Sequence, residues 1–146
     1  MGLSKKYLNT HSGVVTFDLC RLAAHLKKEL PSAGFCLLMG SAAAGKVAEG
    51  SDLDLAFYLT EPVTLDFYAK VSAIVDKRVP GVRCDIGILN KAEPVFRFEA
   101  LKGKLLFARS RELYASFFSL TCREYESQMF DYDKQHKYRL EAGHAL

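Results

Sequence analysis

Residues 38–57 read Leu38-Met-Gly-Ser-Ala-Ala-Ala-Gly-Lys-Val-Ala-Glu-Gly-Ser-Asp-Leu-Asp-Leu-Ala-Phe57, and this stretch decides how the rest of the chain is to be read. The apolar run Phe35 to Met39 ends at Gly40, as a buried strand would. Ala42-Ala43-Ala44 favours a short helix, and Asp52 to Leu59 alternates like a second strand. Residues two apart on a strand share a face, about 6.5–7 Å from one another. Asp52 and Asp54 therefore stand side by side, while Leu53, Leu55 and Phe57 turn to a core and hold the register. Two adjacent carboxylates repel and are costly to desolvate. A divalent cation relieves both costs, and an all-oxygen ligand set favours Mg²⁺ or Mn²⁺ over zinc. Asp-x-Asp alone also describes an ordinary solvated strand face.

Working outward, Val82 to Leu89 is a third strand, with Val82, Cys84, Ile86 and Ile88 on one face and Asp85 on the other. Three carboxylates on neighbouring strands make a cup for two metal ions about 3.5–4 Å apart, the arrangement of in-line phosphoryl and nucleotidyl transfer. Upstream, Gly40-Ser41 is a tight turn into a helix start, where free N–H groups and the helix dipole favour a phosphate. Plain punctuation, with Ser41 as an N-cap, is the alternative. The Walker A pattern is absent.

The remaining elements interleave. Thr16 to Leu30 is predicted helical, stopped by Pro31, and Leu65 to Arg78 is helical until Pro80-Gly81 breaks it. A short helix at Pro94 to Leu101, a strand at Lys104 to Phe107 and a long helix from Arg111 to about Tyr132 complete the chain. Helices alternating with strands place it among α+β or α/β folds, with strand direction open.

The 146 residues, 49% of them hydrophobic, suit one domain, 1–146, with a core of about 15–110. Disorder is excluded by that apolar content. With no apolar run near 20 residues and no secretory hydrophobic region, no membrane is expected and a cytoplasmic location is the default. A net charge of +3, with Lys and Arg scattered among acids, does not point to direct nucleic-acid binding. Cys20, Cys36, Cys84 and Cys122 are read as reduced thiols, and no His sits at zinc-ligand spacing.

Gly40-Ser41, ten residues, then Asp52-Leu53-Asp54 resembles the Gly-Ser-x10-Asp-x-Asp signature of the DNA polymerase β-like nucleotidyltransferase superfamily. Asp85 falls where that family places its third carboxylate. Leu89-Asn90, Pro94-Val95-Phe96-Arg97-Phe98-Glu99 and Gly103-Lys104-Leu105-Leu106 are similar to its smallest branch, the minimal nucleotidyltransferases, and among them to MntA-type antitoxins that partner HEPN-domain toxins. The resemblance spans roughly residues 15–110. It implies a nucleotidyltransferase fold, a small mixed sheet flanked by helices. It further implies that Asp52, Asp54 and Asp85 hold Mg²⁺ (two ions, or Mn²⁺), and that Gly40 and Ser41 hold the β- and γ-phosphates of ATP. The implied activity is transfer of AMP to a hydroxyl, a tyrosine's, on a HEPN-type ribonuclease toxin. Relatives often carry Arg where this chain has Ala44, and Lys46 is the candidate substitute on the phosphate side.

One such site uses most of 146 residues, so the acceptor, or one wall of its pocket, is expected from another chain. The final helix, with Leu113, Tyr114, Phe117, Phe118, Tyr125, Met129 and Tyr132, is a candidate docking surface as well as a candidate core element. Tyr132 to Leu146 reads as a solvated or partner-ordered tail. Cys84 reads as a packing residue, and Arg83 as a partner for Asp85 or for a phosphate. Two other functions stay open: a binding-only antitoxin, and a small-molecule nucleotidyltransferase of the aminoglycoside-modifying kind.

Overall fold

A computed structural model describes residues 13–144, with the backbone alone at 41, 43 and 144. Four strands form a mixed sheet in the order β5-β4-β2-β6: β2 (Ala33–Met39), β4 (Leu53–Leu59), β5 (Cys84–Ile88) and β6 (Lys104–Ala108). β2 runs antiparallel to both β4 and β6, whereas β4 and β5 are parallel. Four α-helices cover it: α1 (Leu19–Glu29), α2 (Leu65–Arg78), α3 (Pro94–Leu101) and the long α4 (Arg111–His144). A five-residue 3-10 helix, Gly40–Ala44, follows β2.

Two cores lie on the two faces of the sheet. On one, Cys36, Leu38, Leu53, Leu55 and Phe57 pack against Leu22 and Leu26 of α1 and Phe67, Val71 and Val75 of α2. On the other, Phe35, Leu37 and Ala56 meet Ala100 of α3 and Phe117 of α4, with Tyr58, Leu113 and Tyr114 packed alongside. Phe35 stacks on Tyr58 at 5.2 Å and meets Tyr114 and Phe117 at 5.1 Å. β2 is buried on both sides, which is why its sequence shows an unbroken apolar run instead of alternation.

Caps set the helix limits. α1 begins at Leu19 rather than Thr16, because the Asp18 carboxylate accepts from the Arg21 N–H at 3.1 Å. Thr16, expected in that helix, instead ends β1 (Val14–Thr16), which pairs with β3 (Lys46–Ala48) as a two-stranded antiparallel ribbon. α2 spans the predicted residues, with the Thr64 hydroxyl accepting from the Phe67 N–H at 3.2 Å. α4 runs on through the stretch expected as a tail. It holds neither Pro nor Gly before Gly143, so nothing stops it.

Side chains brace the frame. Arg109 on the strand side of α4 donates to the carbonyls of Ala33 (2.8 Å) and Leu30 (2.9 Å) and also to that of Lys27, tying the end of α1 to the sheet. Asn90 acts as one more strand residue. Its Oδ1 accepts from the Leu59 N–H at 2.9 Å and its Nδ2 donates to the Leu59 carbonyl at 2.7 Å. Arg97 of α3 donates to the carbonyls of Leu89 (2.9 Å) and Asn90, so α3 is anchored to the far end of β5. No helix among the described residues is long and apolar enough to cross a membrane.

Candidate active site

The end of the sheet where β2 stops and β4 and β5 begin carries the acidic residues. The register pairs Met39 with Asp54 and Asp54 with Asp85, so the three residues form a row across three strands. Residues paired in register share a face, here the face that α3 covers. Leu53, Leu55 and Phe57 are buried on the opposite face, which holds the two carboxylates in place as the alternation requires. Asp52 precedes β4 and is exposed, Asp85 is exposed, and Asp54 is partly buried between them.

Electrostatics single out Asp54. Partial burial, followed by the neighbouring carboxylates of Asp85 and Asp52, holds its pKa above the ordinary carboxylate value. A carboxylate that its surroundings make costly to ionise, flanked by two more acids, suits a hard cation, since every donor is an oxygen. The set is open: among the described residues, no three His, Cys, Asp or Glu side chains are gathered closely enough to cage an ion unaided. An Mg²⁺ site of this kind takes its other ligands from water and substrate phosphates.

Gly40 follows Met39 with φ +74°, the left-handed region that a side chain resists. A Cβ added there would lie 3.8 Å from Asp54 Oδ2, so the turn closes directly against the carboxylate. Gly40, Ala42, Val47, Ser51, Asp52, Asp54 and Met39 line a cavity of about 410 Å³. Ser41 belongs by its backbone to the 3-10 helix, and its side chain lies outside the described residues. Lys46 is exposed on β3 opposite Thr16 and is not in this lining, where its neighbour Val47 stands instead. Ala44 is exposed.

On the other side of Asp54 a second cavity, about 360 Å³, is lined by Met39, Asp54, Leu55, Asp85, Ile86, Gly87 and Phe96. Sequence reasoning did not pick out Met39 or Phe96 as site residues. Met39 was visible as the last residue before Gly40, but the approach of Phe96 depends on how α3 lies across β5. A larger cavity, about 630 Å³, lies at the opposite end of β4 and β5 around Leu59, Tyr68 and Asn90. It has no carboxylate pair, and the chemistry points to the acidic end.

Arg83 pairs with Asp52, Nε to Oδ1 at 3.6 Å, rather than with Asp85. Its side chain is 89% exposed, so this is a weak surface contact that a cation or phosphate can displace. The reason is positional: Arg83 precedes β5, where its carbonyl accepts from the Leu53 N–H at 2.8 Å and brings it level with Asp52. Cys84 packs on the core side, and burial, then Asp85, pushes its thiol up to about 12. A thiol so placed is a poor nucleophile.

The first half of α4 serves the core through Leu113, Tyr114 and Phe117, and Tyr125 stacks on Phe98 of α3 at 3.9 Å. Phe118, Phe130, Tyr132, Tyr138 and Leu140 are exposed.

Residues 21–112 match the family described as polymerase beta, nucleotidyltransferase. No curated protein matches the chain significantly. Among solved structures, the chain is similar to one from a mutant MntA-HpeT toxin–antitoxin, at 14% identity, 84% of this chain, 98% of that one and a TM-score of 0.67. It is similar to a chain from a toxin–antitoxin crystallised with AMP-PNP, at 16% identity, 84% and 98% coverage and a TM-score of 0.66. A third likeness is to a chain from the complex of a tri-AMPylated Shewanella oneidensis HEPN toxin with its MNT antitoxin, at 14% identity, 84% and 95% coverage and a TM-score of 0.62. At these identities the likeness is one of fold, and it agrees with the mixed sheet and long last helix. With the family match spanning most of the sheet and its acidic end, this chain belongs to the polymerase beta nucleotidyltransferase family.

Proposed function

We propose that this chain is an antitoxin that transfers AMP from ATP to a hydroxyl, a tyrosine's, on a HEPN-type toxin. The observation that carries the reading is the in-register pair Asp54 and Asp85 beside the left-handed Gly40 turn. In this reading the backbone of Gly40-Ser41 holds the β- and γ-phosphates in the cavity on that side. Asp52, Asp54 and Asp85 hold Mg²⁺, or Mn²⁺, which when bound neutralises phosphate charge and lowers the barrier to attack.

The acceptor hydroxyl oxygen attacks the α-phosphorus of ATP. The bond from that phosphorus to the pyrophosphate oxygen breaks, leaving an AMP ester and pyrophosphate. Asp85 stands at the exposed end of the row, placed to accept the hydroxyl proton. The fold of the similar structures supports this reading, as does the report of a tri-AMPylated toxin in one of them.

The test mixes the chain with α-labelled ATP, Mg²⁺ and a HEPN-type partner. Label should appear on the partner and vanish when Asp52→Asn and Asp54→Asn are combined. Transfer surviving in that double variant overturns the mechanism. A second reading, an antitoxin that acts by binding alone, draws on the exposed aromatics of α4. It requires the same double variant to protect fully against the toxin.

A further inference from the structure

Asp54 and Met39 border both cavities at the acidic end, but the two differ in what else they present. The Gly40 side offers backbone, the Ser51 hydroxyl and Asp52. The opposite side offers the Phe96 ring and adds Asp85. Phe96 owes its place to a missing side chain: a Cβ on Gly87 would lie 2.7 Å from the ring's Cζ. The ring therefore rests directly on β5, two residues beyond Asp85 and on the same face. It is 38% exposed, so the core does not consume it.

Resting on the reading above, we propose that the Phe96 cavity is the acceptor subsite and that Phe96, with Met39, selects a phenolic acceptor over an aliphatic one. A phenol whose oxygen reaches the Asp54–Asp85 row carries its ring over Phe96, where offset or edge-on aromatic contact is favourable. The Met39 thioether adds a sulfur–aromatic contact from the other wall. A serine-like hydroxyl brings no ring to bury and gains neither contact. ATP, held on the Gly40 side, leaves this wall free. Phe96 is thus a specificity residue that touches the acceptor and not the nucleotide.

The test uses the full chain and two probes, acetyl-tyrosine amide and acetyl-serine amide. Binding is followed by methyl NMR of Met39 in the presence of AMP-PNP and Mg²⁺, and AMP transfer from labelled ATP is followed in parallel. The tyrosine probe should bind and the serine probe should not. Phe96→Ala should weaken tyrosine-probe binding roughly five- to tenfold, the range set by losing one aromatic pair. Affinity for AMP-PNP should stay within twofold.

Phe96→Leu, which keeps apolar volume, guards against a folding artefact and should show the same loss. Phe96→Tyr should restore binding. A parallel loss of AMP-PNP affinity would assign the ring to the nucleotide and overturn the proposal, as would equal binding of both probes or no binding of either. Tyrosine-probe binding without AMP transfer to the probe or to a HEPN-type partner would instead overturn the proposed function and leave the subsite standing.

Discussion

The two faces of β4 behave differently. Leu53, Leu55, Phe57 and Leu59 face α1 and α2 and are buried, whereas the face bearing Asp54, Ala56 and Tyr58 is covered by α3 and α4 only from Ala56 onward. The sealed face supplies binding energy and register, and the half-covered face can spend its first position on a charge. An acid whose pKa is raised by partial burial and then by its neighbours is unfavourable for folding. It is tolerated because the hydrocarbon behind it secures the strand.

The largest effect expected from breaking this contrast is chemical. Replacing Asp52 and Asp54 together with Asn should lower AMP transfer at least about a thousandfold, because the cation site goes with them. Mg²⁺ should raise the melting temperature of the wild type, and that shift should vanish in the same variant while circular dichroism stays native. A native response to Mg²⁺ would break the contrast.

On the sealed face the loss should be one of stability. Leu55→Ala should cost about 3 kcal/mol in urea unfolding, through lost burial and the cavity left behind. A cost under about 1 kcal/mol would mean that this face is not the anchor. Asn90→Ala, at the far end, removes both bonds to Leu59 and should cost about 2 kcal/mol by the same measurement. Transfer kinetics should be nearly unchanged, which sharpens the division between the two ends.

Gly40→Ala forces a side chain into the left-handed region and should cost about 1–2 kcal/mol. ATP affinity should fall alongside.

The smallest effect concerns pH. The folded pKa of Asp54 lies above its unfolded value, so the folded state binds the extra proton. Stability from this group is then full below the unfolded value of 3.8 and lost as pH rises through the folded one. With chelator present at neutral pH, Asp54→Asn should melt ~1–3 °C higher than wild type. A lower melting temperature would mean that the carboxylate is satisfied without a cation.

Much of this was legible in the chain because the signals were local. α2 showed in the periodicity of Leu65 to Arg78 and the Pro80-Gly81 break, and alternation put Leu53, Leu55 and Phe57 inward. The ribbon of β1 and β3 was not legible, since three-residue strands are too short to show a period and are made by pairing across 30 residues. The stretch of α4 beyond Tyr132 was missed for the opposite reason. It is polar on most sides, so periodicity fades although helix propensity persists.

By itself the sequence determined which side chains share a face and which acids travel together, because strand alternation is a property of the backbone. It also marked Gly40 as the turn beside them. Only the tertiary structure decided that β4 and β5 run parallel, that Asp54 meets Asp85 in register, and that Arg83 answers Asp52. It alone laid Phe96 over Gly87. These are contacts between segments distant along the chain, and the packing of helices on the sheet sets them.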